Sequence, residues 1–226
     1  LDYGPFGFCE LFDPRFQPWT GGGEHFSFLN QQVAAEANYH MFWKALRTLL
    51  FDNKNALEKL DNIRKGFTTA MNKAMENLWV MKLGLSSYDE SLVKEMLHLM
   101  IQSKVDYTIF FRELSNIPGN FAELKDSFYV PCPDEITERW VSWFKRWRNH
   151  ITSRGDYMEI SADMKLINPK YTWREWLIAP AYKKAEQGDY SLIKELQIVL
   201  SNPYEEQSLD IEKKYYRLKP TKFFAA

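Results

Sequence analysis

The sequence predicts a mainly α protein led by an irregular, non-helical entry loop. Three observations carry that reading. From Val33 onward, apolar residues recur at i, i+3, i+4 and i+7. Residues typical of helix starts and stops punctuate those stripes. Residues 1–32 lack the period and are broken by Gly and Pro instead.

In the entry loop, Leu1 to Phe8 (LDYGPFGF) is small, aromatic and interrupted by Gly and Pro. Phe12-Asp13-Pro14 and Gln17-Pro18-Trp19-Thr20 read as turns, and Gly21-Gly22-Gly23 as a flexible connector. The first helix carries Ala35, Tyr39, Phe42, Trp43, Leu46 and Leu50, and Asp52-Asn53 breaks it. A second carries Leu57, Leu60, Ile63, Phe67, Met71, Met75 and Leu78 and ends at Gly84, where a C-terminal glycine is favoured. Ser87 and Glu90 have capping-box spacing before Leu92, Met96, Leu99 and Met100. Asp106 to Leu114 forms a short aromatic helix. Asn116 to Pro133 is a linker with helical fragments, closed by the rigid Pro131-Cys132-Pro133 turn.

Asp134 then caps a helix with Ile136, Trp140, Trp143, Phe144, Trp147 and Ile151 on its inner face. Asn168-Pro169 reads as a helix start that runs through Trp173, Trp176 and Leu177 toward Gly188, with a kink at Pro180. Asp189 and Ser191 are rival caps for a last helix with Leu192, Ile193, Leu196 and Val199. Asn202-Pro203 ends it. Leu209 to Ala226 is polar and is expected to be irregular. The organisation is thus an entry loop over 1–32, a helical body over 33–208 and a tail over 209–226.

The totals exclude several classes. At 226 residues the chain makes one large domain or two small ones, long enough to bury about 70% of its extended surface. Hydrophobic residues at 45% and charged residues at 26% exclude a mostly disordered chain and a disulfide-built mini-protein. Lys+Arg 29 against Asp+Glu 30 argues against a general nucleic-acid binder. Cys9 and Cys132 belong to no CxxC pair, which removes zinc and thioredoxin-like readings and leaves two free thiols. No apolar run approaches the ~18 residues that span a bilayer. Aromatics at 16%, including 8 Trp, imply an aromatic core or large interfaces. A start at Leu1 is expected of a processed chain or of a part of a longer one.

Few constellations suit chemistry. Asp2-Tyr3-Gly4 reads either as a tight turn, with Gly4 supplying positive φ, or as a loop that aims a carboxylate at a hard cation. The glycine triplet lacks the GK[ST] of a phosphate loop. His25, His40, His98 and His150 have no metal-ligand spacing and read as surface or satisfied core residues. The interleaved run Arg139 to His150 (RWVSWFKRWRNH) suits base stacking or a membrane surface. Its Trp and Phe fall on one helical face, however, with Lys145, Arg146 and Arg148 mostly off it, as in a core stripe under a solvated face.

Taken together, LDYGPFGF, Phe12-Asp13-Pro14, Phe26-Ser27-Phe28 and Asn30-Gln31 resemble the selenoprotein O family of protein adenylyltransferases. Lys82-Leu83-Gly84 resembles the family's KLG. Asp106-Tyr107-Thr108 with Phe111-Arg112 and Leu114-Ser115 resembles its DYT-x-x-FR-x-LS. Asn168-Pro169-Lys170 with Arg174, Ala185 to Tyr190 (AEQGDY) and Asn202-Pro203-Tyr204 continue the match in collinear order.

The resemblance implies a protein-kinase-like fold, of which this chain is the C-lobe-like half with an activation-type loop. It implies transfer of AMP from MgATP to Ser, Thr or Tyr hydroxyls of proteins, with ATP and protein substrates as partners. Asp2 corresponds to the family's metal-binding and nucleotide-binding Asp. The glycine-rich nucleotide lobe, the ATP lysine and the catalytic Asp-Asn lie upstream of DYG in the family. The resemblance therefore gives the chain no catalytic residue of its own and implies that it is inactive alone. Pro18 stands where many members carry an activation-loop Cys, and the tail Lys219 to Ala226 resembles the stretch before the family's terminal redox residue. The implied compartment is bacterial cytoplasm or the mitochondrion. The rival reading is a non-catalytic helical protein-binding module.

Overall fold

The structure, a computed structural model, describes residues 9–17, 23 and 27–220. The fold is mainly helical, and among the described residues no strand forms. Among the described residues nine α-helices follow in order: α1 (Gln31–Leu49), α2 (Lys54–Leu83), α3 (Glu90–Gln102), α4 (Tyr107–Leu114), α5 (Asp134–Arg154), α6 (Tyr157–Ile167), α7 (Glu175–Ala185), α8 (Ser191–Ser201) and α9 (Leu209–Tyr215). Short 3-10 turns occupy Phe28–Asn30 and Phe121–Ser127. The described residues divide into two compact units, the first holding residues 14–17, 23 and 27–78 and the second residues 9–13 with 79–220.

In the first unit α1 pairs with the long run of α2. Tyr39 stacks on Phe67 with ring centroids 4.3 Å apart. Trp43 donates through Nε1 to Asp61 at 2.9 Å, while Arg64 lies 4.6 Å over the Trp43 ring. This seam is aromatic and ionic rather than deeply apolar, and no residue of α1 is buried. Phe42 and Ile63, both on the predicted stripes, are exposed.

The second unit is built around α5. Trp140, Trp143 and Trp147 are fully buried at i, i+3 and i+7, as the core-stripe reading of that run expects. Each indole N–H has an acceptor: Ser103 Oγ at 2.8 Å, the Leu92 carbonyl at 2.9 Å and the Leu83 carbonyl at 2.8 Å. The last two tie α5 to α3 and to the C-terminal end of α2. A buried indole without an acceptor costs ~1–3 kcal/mol, so these bonds fix the register of α5 as well as its depth. Leu92, Met96, Leu99 and Met100 of α3 are fully buried, and α3 packs on α5. A smaller cluster joins α7, α8 and α9 through Ile178, Ala181, Leu196, Val199 and Tyr215.

Gly84 ends α2 as predicted. Its φ is +67°, the Leu85 N–H reaches the Val80 carbonyl at 2.9 Å, and the Gly84 N–H reaches Met81 at 3.3 Å. That is a Schellman closure. A Cβ at Gly84 would lie 2.6 Å from Met164 Sδ, so packing against α6 also demands glycine.

Several predicted boundaries differ. Asp89, not Ser87, caps α3, accepting from the Leu92 N–H at 2.9 Å. Asp134 is the first residue of α5 rather than its cap, where its charge favours the positive end of the helix. Asn168-Pro169 does not start a helix. Asn168 ends α6, is fully buried and bonds across the core, and α7 begins only at Glu175. The sequence reading missed α6, capped by Asp156. The stretch from Leu209, expected to be irregular, opens as α9: Ser208 caps it, Asp210 and Glu212 lie in its first turn, and Lys213 and Lys214 in its last.

Candidate functional site

Asp2, the predicted metal and nucleotide ligand, lies outside the described residues, as do the rest of LDYGPFGF, Pro18, Gly21-Gly22 and residues 221–226. What the structure does show is how the segment directly after that run is held.

Three short extended stretches lie side by side. Tyr107 N–H donates to the Glu10 carbonyl at 2.9 Å and Phe12 N–H to Val105 at 2.9 Å. On the other edge, Asp106 N–H donates to Ser127 at 2.8 Å and Tyr129 N–H to Lys104 at 3.0 Å. They form two isolated β-bridges, Leu11 with Asp106 and Val105 with Phe128. Their register brings Glu10, Asp106 and Tyr129 together.

Asp106 is fully buried. It caps α4 through the Ile109 N–H at 3.0 Å and accepts from the Tyr129 hydroxyl at 2.9 Å. Arg174, at the start of α7, grips both its oxygens at 2.7 and 3.0 Å. Arg174 also donates to Glu10 Oε2 at 2.7 Å, an oxygen shared with the Trp176 indole at 2.7 Å. Burial pulls the Arg174 guanidinium down, but Asp106 and Glu10 outweigh it and the net direction is up. Burial and the Asp106 carboxylate both push the Tyr129 phenol up.

A second network meets α4 at Arg112 and at its C-cap Ser115. Lys82 Nζ donates to Asn168 Oδ1 at 2.8 Å, and Asn168 Nδ2 donates to the Lys82 carbonyl at 2.8 Å and to Ser115 Oγ at 3.0 Å. Burial pulls the Lys82 ammonium down to about 7, although it lies 4.0 Å over the Phe111 ring. Arg112, 2% exposed, donates to the Asn168 carbonyl at 3.0 Å and to Glu206 at 2.7 Å. Glu206 also pairs with Lys170, which reaches Glu212 at 2.5 Å.

The motif residues singled out from the sequence thus converge. Lys82, Asp106, Arg112, Ser115, Asn168, Lys170 and Arg174 sit in two buried networks around α4. Glu10, Tyr129 and Glu206 were not singled out. An acid inside the run Phe6 to Phe12 (FGFCELF) is a signal that marks Glu10. Among the described residues no group of three or more His, Cys, Asp or Glu is placed to hold a metal. Asp106 and Glu10 are held by cationic and N–H donors, so they do not suit a hard cation that needs several oxygens. The described residues alone therefore do not fit magnesium.

The model of the family described as protein adenylyltransferase SelO matches residues 1–201. The chain belongs to that family. Curated relatives named protein nucleotidyltransferase YdiU include those of Myxococcus xanthus, 33% identical over 216 residues, and Dechloromonas aromatica, 32% identical over 215. That of Flavobacterium johnsoniae is 29% identical over 221. The alignments cover 91–92% of this chain and 42% of each relative. The chain therefore spans about two fifths of the length of these SelO-family relatives. No helix among its described residues is long and apolar enough to cross a membrane.

Proposed function

We propose that the chain is the C-lobe-like part of a kinase-like protein adenylyltransferase, which moves AMP from MgATP to Ser, Thr or Tyr hydroxyls of proteins. The acceptor hydroxyl gives up its proton to solvent as its oxygen bonds to the α-phosphorus, the α–β phosphoanhydride bond breaks, and pyrophosphate leaves. Asp2 is the residue proposed to hold magnesium, which would neutralise charge on the phosphates when bound. The match of the adenylyltransferase family model across residues 1–201 carries the reading. The buried Glu10–Arg174–Asp106 grip supports it physically. It anchors Glu10, eight residues after Asp2, to the start of α7 and to the buried cap of α4.

The chain spans about two fifths of its relatives' length, and on this reading transfer needs a nucleotide-binding half as well. The test uses ATP labelled at the α-phosphate. The chain alone is expected to label no protein, the chain joined to a nucleotide-binding half to label its substrate, and Asp2→Ala to abolish that label. A joined protein that transfers no AMP, or that ignores Asp2→Ala, contradicts the proposal.

A second reading, a helical protein-binding module, draws on the exposed Val33, Met41, Phe42, Leu49, Phe51 and Ile63 of the first unit. It predicts that polar substitution at Phe42 and Phe51 abolishes capture of a partner and leaves the second unit's stability unchanged.

A further inference from the structure

The second unit has a groove of about 840 Å3 between α5 and the segment from Gly119 to Cys132. That size lies within the ~300–1,000 Å3 of ordinary ligand sites. Its α5 wall is a stripe from Thr137 through Val141 and Phe144 to Lys145 and Arg148. At 1.5 Å rise per residue, Thr137 and Arg148 stand about 17 Å apart along the helix.

The two ends differ. Phe121, Phe128, Val130, Val141 and Phe144 belong to the apolar lining, and along α5 the lining runs from Thr137, five residues after Cys132, to Lys145, Arg148 and Asn149. Asp126 is the single acid in the lining, against Lys125, Lys145 and Arg148. Lys145 is exposed and has no ion pair among the described residues, while Arg148 gives one N–H to the Ile117 carbonyl at 3.2 Å and its guanidinium lies 4.8 Å from the Tyr157 ring centroid.

The geometry points to a binding site for a long-chain fatty acid, with its carboxylate at Lys145 and Arg148 and its hydrocarbon tail running toward Thr137 and Cys132. An extended chain of about 14 carbons spans the groove, given ~1.5 Å bonds zigzagging at tetrahedral angles. The five apolar side chains bury that tail and offer no hydrogen bonds. A peptide laid along them would leave its N–H and C=O groups unpaired, and those need partners when buried. The inference is independent of the proposed nucleotidyl transfer.

The test uses the 226-residue chain and tetradecanoate below its micelle concentration. Calorimetry is expected to show saturable binding at one site, weaker for uncharged tetradecanol. Lys145→Glu with Arg148→Glu weakens tetradecanoate by about tenfold, from two rim charges reversed, and leaves tetradecanol unchanged. Lys145→Glu alone, at an exposed unpaired position, weakens it by about threefold and secures the result should the double variant not fold. The thiols give a second readout. Burial pushes both thiols up, but Cys9 is buried and Cys132 only half-buried, so slow alkylation reports Cys132. Tetradecanoate slows that alkylation severalfold. Absence of saturable binding, equal affinity for the acid and the alcohol, indifference to Lys145→Glu, or an unchanged Cys132 rate overturns the site. Protection of Cys132 by an acidic apolar peptide but not by tetradecanoate overturns the ligand class.

Discussion

Arg174→Met isolates the buried network, because methionine fills most of the arginine volume and removes only its charge and donors. The guanidinium is 2% exposed and makes three short bonds, two to a fully buried Asp106 and one to Glu10. Without it, Asp106 keeps only the Ile109 N–H and the Tyr129 hydroxyl. Breaking one partner out of a buried pair costs about 3–5 kcal/mol, chiefly through the carboxylate left unpaired. At a urea slope of about 2 kcal/mol/M, the midpoint falls by about 2 M. Tryptophan fluorescence reads the transition, with Trp140, Trp143 and Trp147 as buried reporters. Asp106→Asn, which keeps an acceptor for the α4 cap, completes a double-mutant cycle. The double variant should be about 2 kcal/mol more stable than the sum of the singles predicts. A loss below about 1 kcal/mol for Arg174→Met, or simple additivity of the two changes, refutes the reasoning.

Two further outcomes follow from the second unit. Burial lowers the folded pKa of Lys82 to about 7, well below the ordinary lysine range, so the unfolded chain takes up a proton that the folded one does not. Stability should therefore rise with pH between about 7 and 10, by about 3 kcal/mol from pH 7 to 9.5 relative to Lys82→Met, and equal urea midpoint shifts in the two proteins would contradict this. Gly84→Ala places a Cβ 2.6 Å from Met164 Sδ and 2.8 Å from Ile160 Cγ2 at a φ of +67°. The expected loss is about 2–4 kcal/mol, and Met164→Ala should recover part of it in the same melts.

The helical stripes were legible because buried Trp and Leu residues repeat with the helical period, as along Trp140, Trp143 and Trp147. The caps were less so, since Ser87 and Asp89 both suit an N-terminus and only the packing of Leu92 and Val93 decides the frame. Asn168 misled for a related reason. An Asn before a Pro has the chemistry of a cap, and the same amide serves equally well as a buried bridge between Lys82 and Ser115. Helix α6 buries only Ile160 and Met164, too thin a stripe to read, although Asp156 and Glu159 carry a capping signal. The network around Asp106 joins residues 164 and 68 positions apart, so no local spacing encodes it. The family resemblance pointed to Asp106 and Arg174 but not to Glu10, which gains its role only when three extended stretches come into register.

The central claim is adenylyl transfer that depends on Asp2. The most direct measurement is the intact mass of an acceptor protein after incubation with ATP and the chain joined to a nucleotide-binding half. The account predicts an added AMP on a hydroxyl side chain, absent with Asp2→Ala. An added phosphate, or an AMP adduct that persists in Asp2→Ala, would contradict it.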